Sequence, residues 1–167
     1  MPEEDIIPNL AWCYRGQQTL PGLCCLGDDT RRVADLLDHL VEFAPNPATH
    51  EMEHGFTDNE MTGDRINRKY NNDEPFSAYV FRTIADPFAG RINVMKVISG
   101  KIGHDASVRN TTRDTDERLG ALHVISGKTL DKVDSAATGD IIAVAAFKDT
   151  QTGDTLSDKA KPIVFRR

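Results

Sequence analysis

Apolar residues at positions 33, 36, 37, 40 and 41 recur at i, i+3, i+4, i+7 and i+8, which places Val33, Leu36, Leu37, Leu40 and Val41 on one helical stripe. The stripe predicts a helix over residues 30–44. Asp28, Asp29 or Thr30 can cap its first turn, Arg31 and Arg32 oppose the helix dipole there, and Pro45-Asn-Pro47 ends it. From residue 76 the texture changes to short runs rich in β-branched and aromatic residues. Strands are expected over residues 76–85 and 91–98, separated by Asp86-Pro-Phe-Ala-Gly90, and then over 107–110, 118–125, 129–133 and 163–165. Residues 141–147 are apolar or small throughout, which predicts a central strand buried on both faces. Residues 48–74 are polar, charged and rich in Asn, and read as a linker with at most short local structure. Residues 1–27 carry little pattern, although Leu20-Pro-Gly-Leu-Cys-Cys-Leu26 has room for a short strand weakened by Pro21 and Gly22. Six to seven short strands with Gly- and Asp-bearing turns, and no helical period between them, predict a mainly β fold closed as an antiparallel β-barrel.

A length of 167 residues suits one ordinary domain, or a small domain with an appendage. Three cysteines, two of them adjacent, do not make a disulfide framework and point to a reducing, cytoplasmic location. The acidic start MPEEDIIP is unlike a secretory signal, and no apolar run approaches the roughly 20 residues that cross a bilayer, so no membrane partner is expected. The net charge of −6 is unevenly spread: residues 1–74 carry 6 basic and 15 acidic side chains (−9), residues 75–167 carry 14 and 11 (+3). The second part could face a polyanion, although +3 makes a weak field.

His50-Glu51-Met52-Glu53-His54 matches the H-E-x-x-H pattern, in which two histidines one helical turn apart hold zinc and the Glu acts as base. Its context is poor: it follows Pro45-x-Pro47, precedes Gly55, and Thr57 and Glu60 stand where the extended pattern wants Gly and His. A solvated linker is the expected setting. His123 lies in a strand pattern and reads as a wall residue. No nucleophile–base pair is found, and G-x-x-x-x-G-K-[ST] is absent. No catalytic, nucleotide-binding or metal-ligating residue, and no cofactor, is therefore assigned to this chain. The candidates for contact with a polyanion are Arg109, Arg113, Arg118 and Lys128, around neighbouring strand ends, where a barrel rim would gather them against RNA phosphates. No aromatic stripe accompanies them, so backbone and shape rather than stacked bases would be read.

Four stretches resemble the second domain of the elongation-factor-G class of translational GTPases. They are Pro75-Phe-Ser-Ala-Tyr-Val-Phe-Arg-Thr-Ile-Ala-Asp-Pro-Phe-Ala-Gly-Arg91; Val97-Ile-Ser-Gly-Lys-Ile102; Glu117-Arg-Leu-Gly120; and Gly139-Asp-Ile-Ile-Ala-Val144, running on through Lys148-Asp-Thr-Gln-Thr-Gly-Asp-Thr-Leu156. The wording looks closest to the elongation-factor-G-like second-type subgroup. Leu36-Leu37-Asp38 with Pro45-Asn-Pro47 is similar to the end of that family's GTPase domain, and Leu23-Cys-Cys-Leu-Gly27 stands where the family has a Ser-Ala element. The resemblance implies three segments: residues 1–47 as the end of a GTPase-like domain, 48–74 as linker, and 75–167 as the translation-factor β-barrel. It implies a parent protein that uses GTP and magnesium on the ribosome. This chain would contact small-subunit ribosomal RNA, relay to the GTPase domain of the same parent, and be inactive alone. The competing readings are a small zinc hydrolase built on His50, Glu51 and His54, and a structural interaction barrel.

Overall fold

The apolar stripe forms helix α1 (Val33–Phe43) in a computed structural model of the chain. The structure describes residues 32–46 and 51–165 except 59, 61, 88, 89 and 146, with Asn9, Cys13, Gly22 and Cys24 upstream. The capping residues, and all but Gly22 and Cys24 of the short strand expected over residues 20–26, lie outside the described residues; those two are exposed and in no strand. Arg32 takes the N-cap position in a left-handed conformation (φ 60°) without a side-chain cap, and Asp35 places a carboxylate in the first turn. The helix stops where Ala44 turns extended ahead of Pro45, its N–H still donating to the Leu40 carbonyl. Helix α1 belongs to one compact unit, Met1–Thr49; His50–Arg167 form a second.

The second unit is built of antiparallel strands. Residues read as a linker form a sheet instead. Strand β1 (Met52–Phe56) pairs along its length with β2 (Arg65–Lys69), and its other edge pairs with β13 (Val164–Phe165). This corrects the expectation for residues 48–74. Gly55 reads as a breaker in sequence, yet it is required by the packing: a Cβ there would sit 2.5 Å from Ile163 Cγ1 and 2.7 Å from the Val164 carbonyl oxygen. This small sheet packs around Ile98, Ile163 and Phe165, with Ile66, Tyr70 and Tyr79 against them.

The main sheet has eight strands: β3 (Ser77–Asp86), β4 (Gly90–Ser99), β6 (Ser107–Asn110), β7 (Thr115–Arg118), β8 (Leu122–Ser126), β9 (Thr129–Val133), β11 (Ile141–Ala145) and β12 (Thr155–Ser157). Their order is β7-β6-β12-β3-β4-β11-β8-β9. Beyond Gly100, β4 runs on as β5 (Lys101–Gly103), which pairs with β10 (Ser135–Ala137), the continuation of β9. Among the described strands no ladder joins the two edge strands β7 and β9. Gly100 adopts φ +76° at the bend between β4 and β5, and a Cβ would meet the Glu74 carbonyl oxygen at 2.6 Å. The run expected over residues 118–125 is broken into β7 and β8 by the Leu119-Gly120 corner.

Inward-facing residues from nearly every strand meet in one core: Ala78 and Val80, Met95 and Val97, Val108, Leu122, Ile142 and Val144, and Leu156, with Leu119 at the corner. In β11 the three central residues Ile142, Ala143 and Val144 are all buried, as expected of a strand covered on both faces. Each large aliphatic side chain removed from water contributes roughly 1.5–3 kcal/mol. The core therefore fixes the frame on which the polar loops at its end are mounted.

Candidate nucleic-acid interface

Strands β6 and β7 form a hairpin in register Ser107↔Arg118 to Asn110↔Thr115. Its turn, residues 111–114, closes with Asp114 at φ 59°, a conformation that Asp tolerates better than most residues. The turn is tied down from below. Thr111 Oγ1 lies 2.6 Å from the Ile163 carbonyl oxygen, and Thr112 Oγ1 accepts from the Thr155 N–H at 2.9 Å.

Two buried carboxylates lock this hairpin to the loop between β11 and β12. Glu117 accepts the N–H groups of Lys148 (3.3 Å), Asp149 (2.9 Å) and Thr150 (3.2 Å), and the Thr150 hydroxyl (3.0 Å). Asp154, fully buried, accepts at Oδ2 from Asn110 Nδ2 (2.9 Å), the Gln151 N–H (2.9 Å) and Arg113 Nε (2.7 Å). Asn110 in turn accepts the Arg113 N–H through Oδ1 at 3.1 Å. Asp154 Oδ1 and Asn93 Oδ1 are buried without a protein donor among the described residues.

Three of the four basic residues singled out in the sequence lie on this hairpin. Arg109 is spent internally: its Nε and Nη2 donate to Asp114, and Nη1 lies 3.8 Å from Asp116. Asp116 is also held by Lys159 Nζ at 2.9 Å, and that hydrogen-bonded ammonium keeps its carboxyl below the usual range. Arg113 sits in the turn against Asp154. Arg118 is at the hairpin's open end, 75% exposed and loosely paired with Asp105 at 3.3 Å. Lys128 is elsewhere, exposed in the β8–β9 turn and without a hydrogen bond or ion pair among the described residues. The sheet order puts β12, β3, β4, β11 and β8 between its hairpin's edge strand and β6, and the antiparallel pairing puts its turn at the strand end that carries Arg118, opposite the 111–114 turn that carries Arg113. Exposed cations without a hydrogen bond or ion pair among the described residues also stand at Arg65, Lys69, Arg82, Lys101 and Lys132. Sequence reasoning missed these, and it missed Glu117, Asn110 and Asp154 as a polar network. The signal was present in Lys148-Asp-Thr-Gln-Thr-Gly-Asp154, where small polar residues around a Gly mark a loop able to fold over a carboxylate.

The second half of the H-E-x-x-H match, Met52 to His54, lies on strand β1, not on a helix. His54 Nδ1 is 2.6 Å from Asn67 Oδ1, on the paired strand, while His50 lies outside the described residues. The zinc motif needs a helix through its second histidine, and His54 is on a strand. Among the described residues no group of three His, Cys, Asp or Glu side chains converges to hold a metal. His123 is half-buried on β8, between Ala143 and Lys132 of the neighbouring strands. No helix of the described residues is long and apolar enough to cross a membrane.

Comparison with known proteins agrees with the four-stretch resemblance. The family model described as elongation factor G domain 2 matches residues 75–159. The chain is 38% identical over 169 residues to proteins named elongation factor G from Ureaplasma urealyticum serovar 10 and Ureaplasma parvum serovar 3. The match covers 100% of this chain and 24% of each relative, so the chain spans about a quarter of their length. A solved structure from Thermus thermophilus shares the fold, with a TM-score of 0.67 and 24% identity over 99% of this chain and 22% of that one.

Proposed function

This chain belongs to the elongation factor G family, and we propose that it is the ribosome-docking β-barrel module of a translational GTPase. In this reading the eight-stranded sheet, rolled about a single core and turned back on itself through the β5–β10 ladder, is the barrel. The observation that carries the reading is the match to the family's second domain over residues 75–159. The hairpin locked by Glu117 and Asp154 supports a rigid rim facing small-subunit ribosomal RNA. Phosphate contacts would come from Arg113 at the hairpin's turn and from Arg118 at its open end, with Lys128 on a separate hairpin and Arg109 contributing least, because its charge is already balanced by Asp114 and Asp116. The same module relays to the GTPase domain of its parent in the cytoplasm. GTP and magnesium belong to that domain; this sequence contains no phosphate loop, and the chain alone is expected to be catalytically silent.

Sedimentation of the purified chain with isolated ribosomal subunits tests the reading. Co-sedimentation with small subunits at low salt, and little with large subunits, is the expected result. Equal retention by both subunits, or none by either, contradicts it. The zinc-hydrolase alternative has nothing to recommend it once His54 lies on a strand.

A further inference from the structure

We infer that Asp154 is a positioning residue that aims Arg113 at an RNA phosphate; the inference rests on the docking function proposed above. Three cations ride on the β6–β7 hairpin, and they differ in what their guanidinium groups still have to offer. Arg109 uses Nε and Nη2 on Asp114. Arg118 is held only at Nη2, by an exposed partner, and is 75% exposed. Arg113 is held by Nε alone, at 2.7 Å, on a carboxylate with no exposure. Its two Nη nitrogens have no partner among the described residues, and its side chain is 36% exposed.

A planar guanidinium held by Nε is oriented as a rigid body, and its Nη edge is the one that bonds an anionic oxygen pair in fork geometry. Asp154 controls this residue twice. It takes the side chain directly, and it holds Asn110, whose Oδ1 takes the Arg113 backbone N–H. Asp154 is itself fixed by Gln151 N–H and by burial. The rotamer freedom that an exposed arginine loses on binding is thus already lost in the free protein, which raises affinity without a new contact. The pair is close to neutral, so Arg113 offers aimed donors more than net charge.

That neutrality makes the test one of sign. Removing a carboxylate from a protein that binds a polyanion should strengthen binding on charge alone. Asp154→Asn is expected instead to weaken small-subunit binding of the full chain about tenfold near physiological salt, roughly one charge-assisted hydrogen bond. In an Arg113→Gln background the same change should have no further effect on affinity. Arg113→Lys, which keeps the charge and loses the fork, should bind as poorly as Arg113→Gln. The idea is overturned if Asp154→Asn strengthens binding, or weakens it equally in both backgrounds, the mark of a purely structural role. Should Asp154→Asn fail to fold, the comparison of Arg113→Lys with Arg113→Gln decides alone, and wild-type affinity in Arg113→Lys sinks the proposal. Absence of binding by the wild type itself is a different outcome: it removes the docking function, and this inference with it.

Discussion

Glu117 and Thr150 are joined twice, the Glu117 carboxylate accepting both the backbone N–H of Thr150 at 3.2 Å and its hydroxyl at 3.0 Å. With Lys148 and Asp149 adding their N–H groups, one buried side chain orders the loop from β11 to β12. Replacing Glu117 with Ala leaves four donors without their acceptor, so a loss of about 3 kcal/mol or more is expected in urea unfolding. Glu117→Gln keeps an acceptor oxygen and should lose less. Faster hydrogen exchange at the Asp149 and Thr150 amides should accompany the Ala variant; unchanged exchange there means the clamp does not order the loop.

Gly100 is needed for two reasons at once, a positive φ and the Glu74 carbonyl oxygen 2.6 Å from where a Cβ would stand. Gly127, in the β8–β9 turn, has the positive φ alone, with open space around it. Gly100→Ala should therefore cost about 3 kcal/mol and Gly127→Ala about 1 kcal/mol, the ordinary penalty for a left-handed Ala. Equal losses of stability in the two variants would show that β4 and β5 do not bend against residues 74–76 as described.

Val144 and Ile141 lie on the same strand in opposite settings: Val144 has no exposure and Ile141 is 52% exposed. Val144→Asp should destabilise by about 4 kcal/mol or more, since it buries an unpaired carboxylate. Ile141→Asp should change stability by about 1 kcal/mol or less. The thermal midpoints of the two variants check the difference, and comparable midpoints would remove β11 from the centre of the core.

The frame of the second unit was legible in the sequence because it rests on local patterns. Strands β6 and β9 fall on the expected residues, and the wholly apolar run became the buried β11. What stayed hidden depends on partners far along the chain. Strands β1 and β2 look polar and loop-like because their third strand is β13, about a hundred residues on, and because Gly55 is dictated by Ile163 rather than by a turn. Strand β12 is three residues, Thr155–Ser157, all buried but two of them hydroxylic, so no period marks it. At the candidate interface the arginines were visible but their states were not. Arg109 is taken up by Asp114 and Asp116 on its own hairpin, whereas Arg113 is held by Asp154, a neighbour brought in from far along the chain by folding.

Tyr70 donates its hydroxyl to Glu53 at 2.9 Å and lies under the ammonium of Lys96, 5.6 Å from the ring centroid. Burial, then the hydrogen bond and charge of Glu53, push its phenol well above its ordinary value. A group whose folded value is raised adds stability that is complete below the unfolded value, about 10 for tyrosine, and is lost as pH rises through the folded one. Stability should thus fall above pH of about 10 more steeply in the wild type than in Tyr70→Phe. Parallel denaturation curves for the two proteins between neutral and strongly alkaline pH would contradict that assignment.

The most direct test of the docking function is the salt dependence of small-subunit binding by the intact chain. Each phosphate contact releases counterions, so the logarithm of the binding constant should fall linearly with the logarithm of salt concentration. Arg118→Glu with Lys128→Glu reverses two exposed cations outside the core. This variant should keep the wild-type melting temperature, bind more weakly at low salt, and show a slope shallower by on the order of one to two units. Wild-type affinity and slope in this variant, or wild-type binding that ignores salt, would contradict docking through these residues on ribosomal RNA.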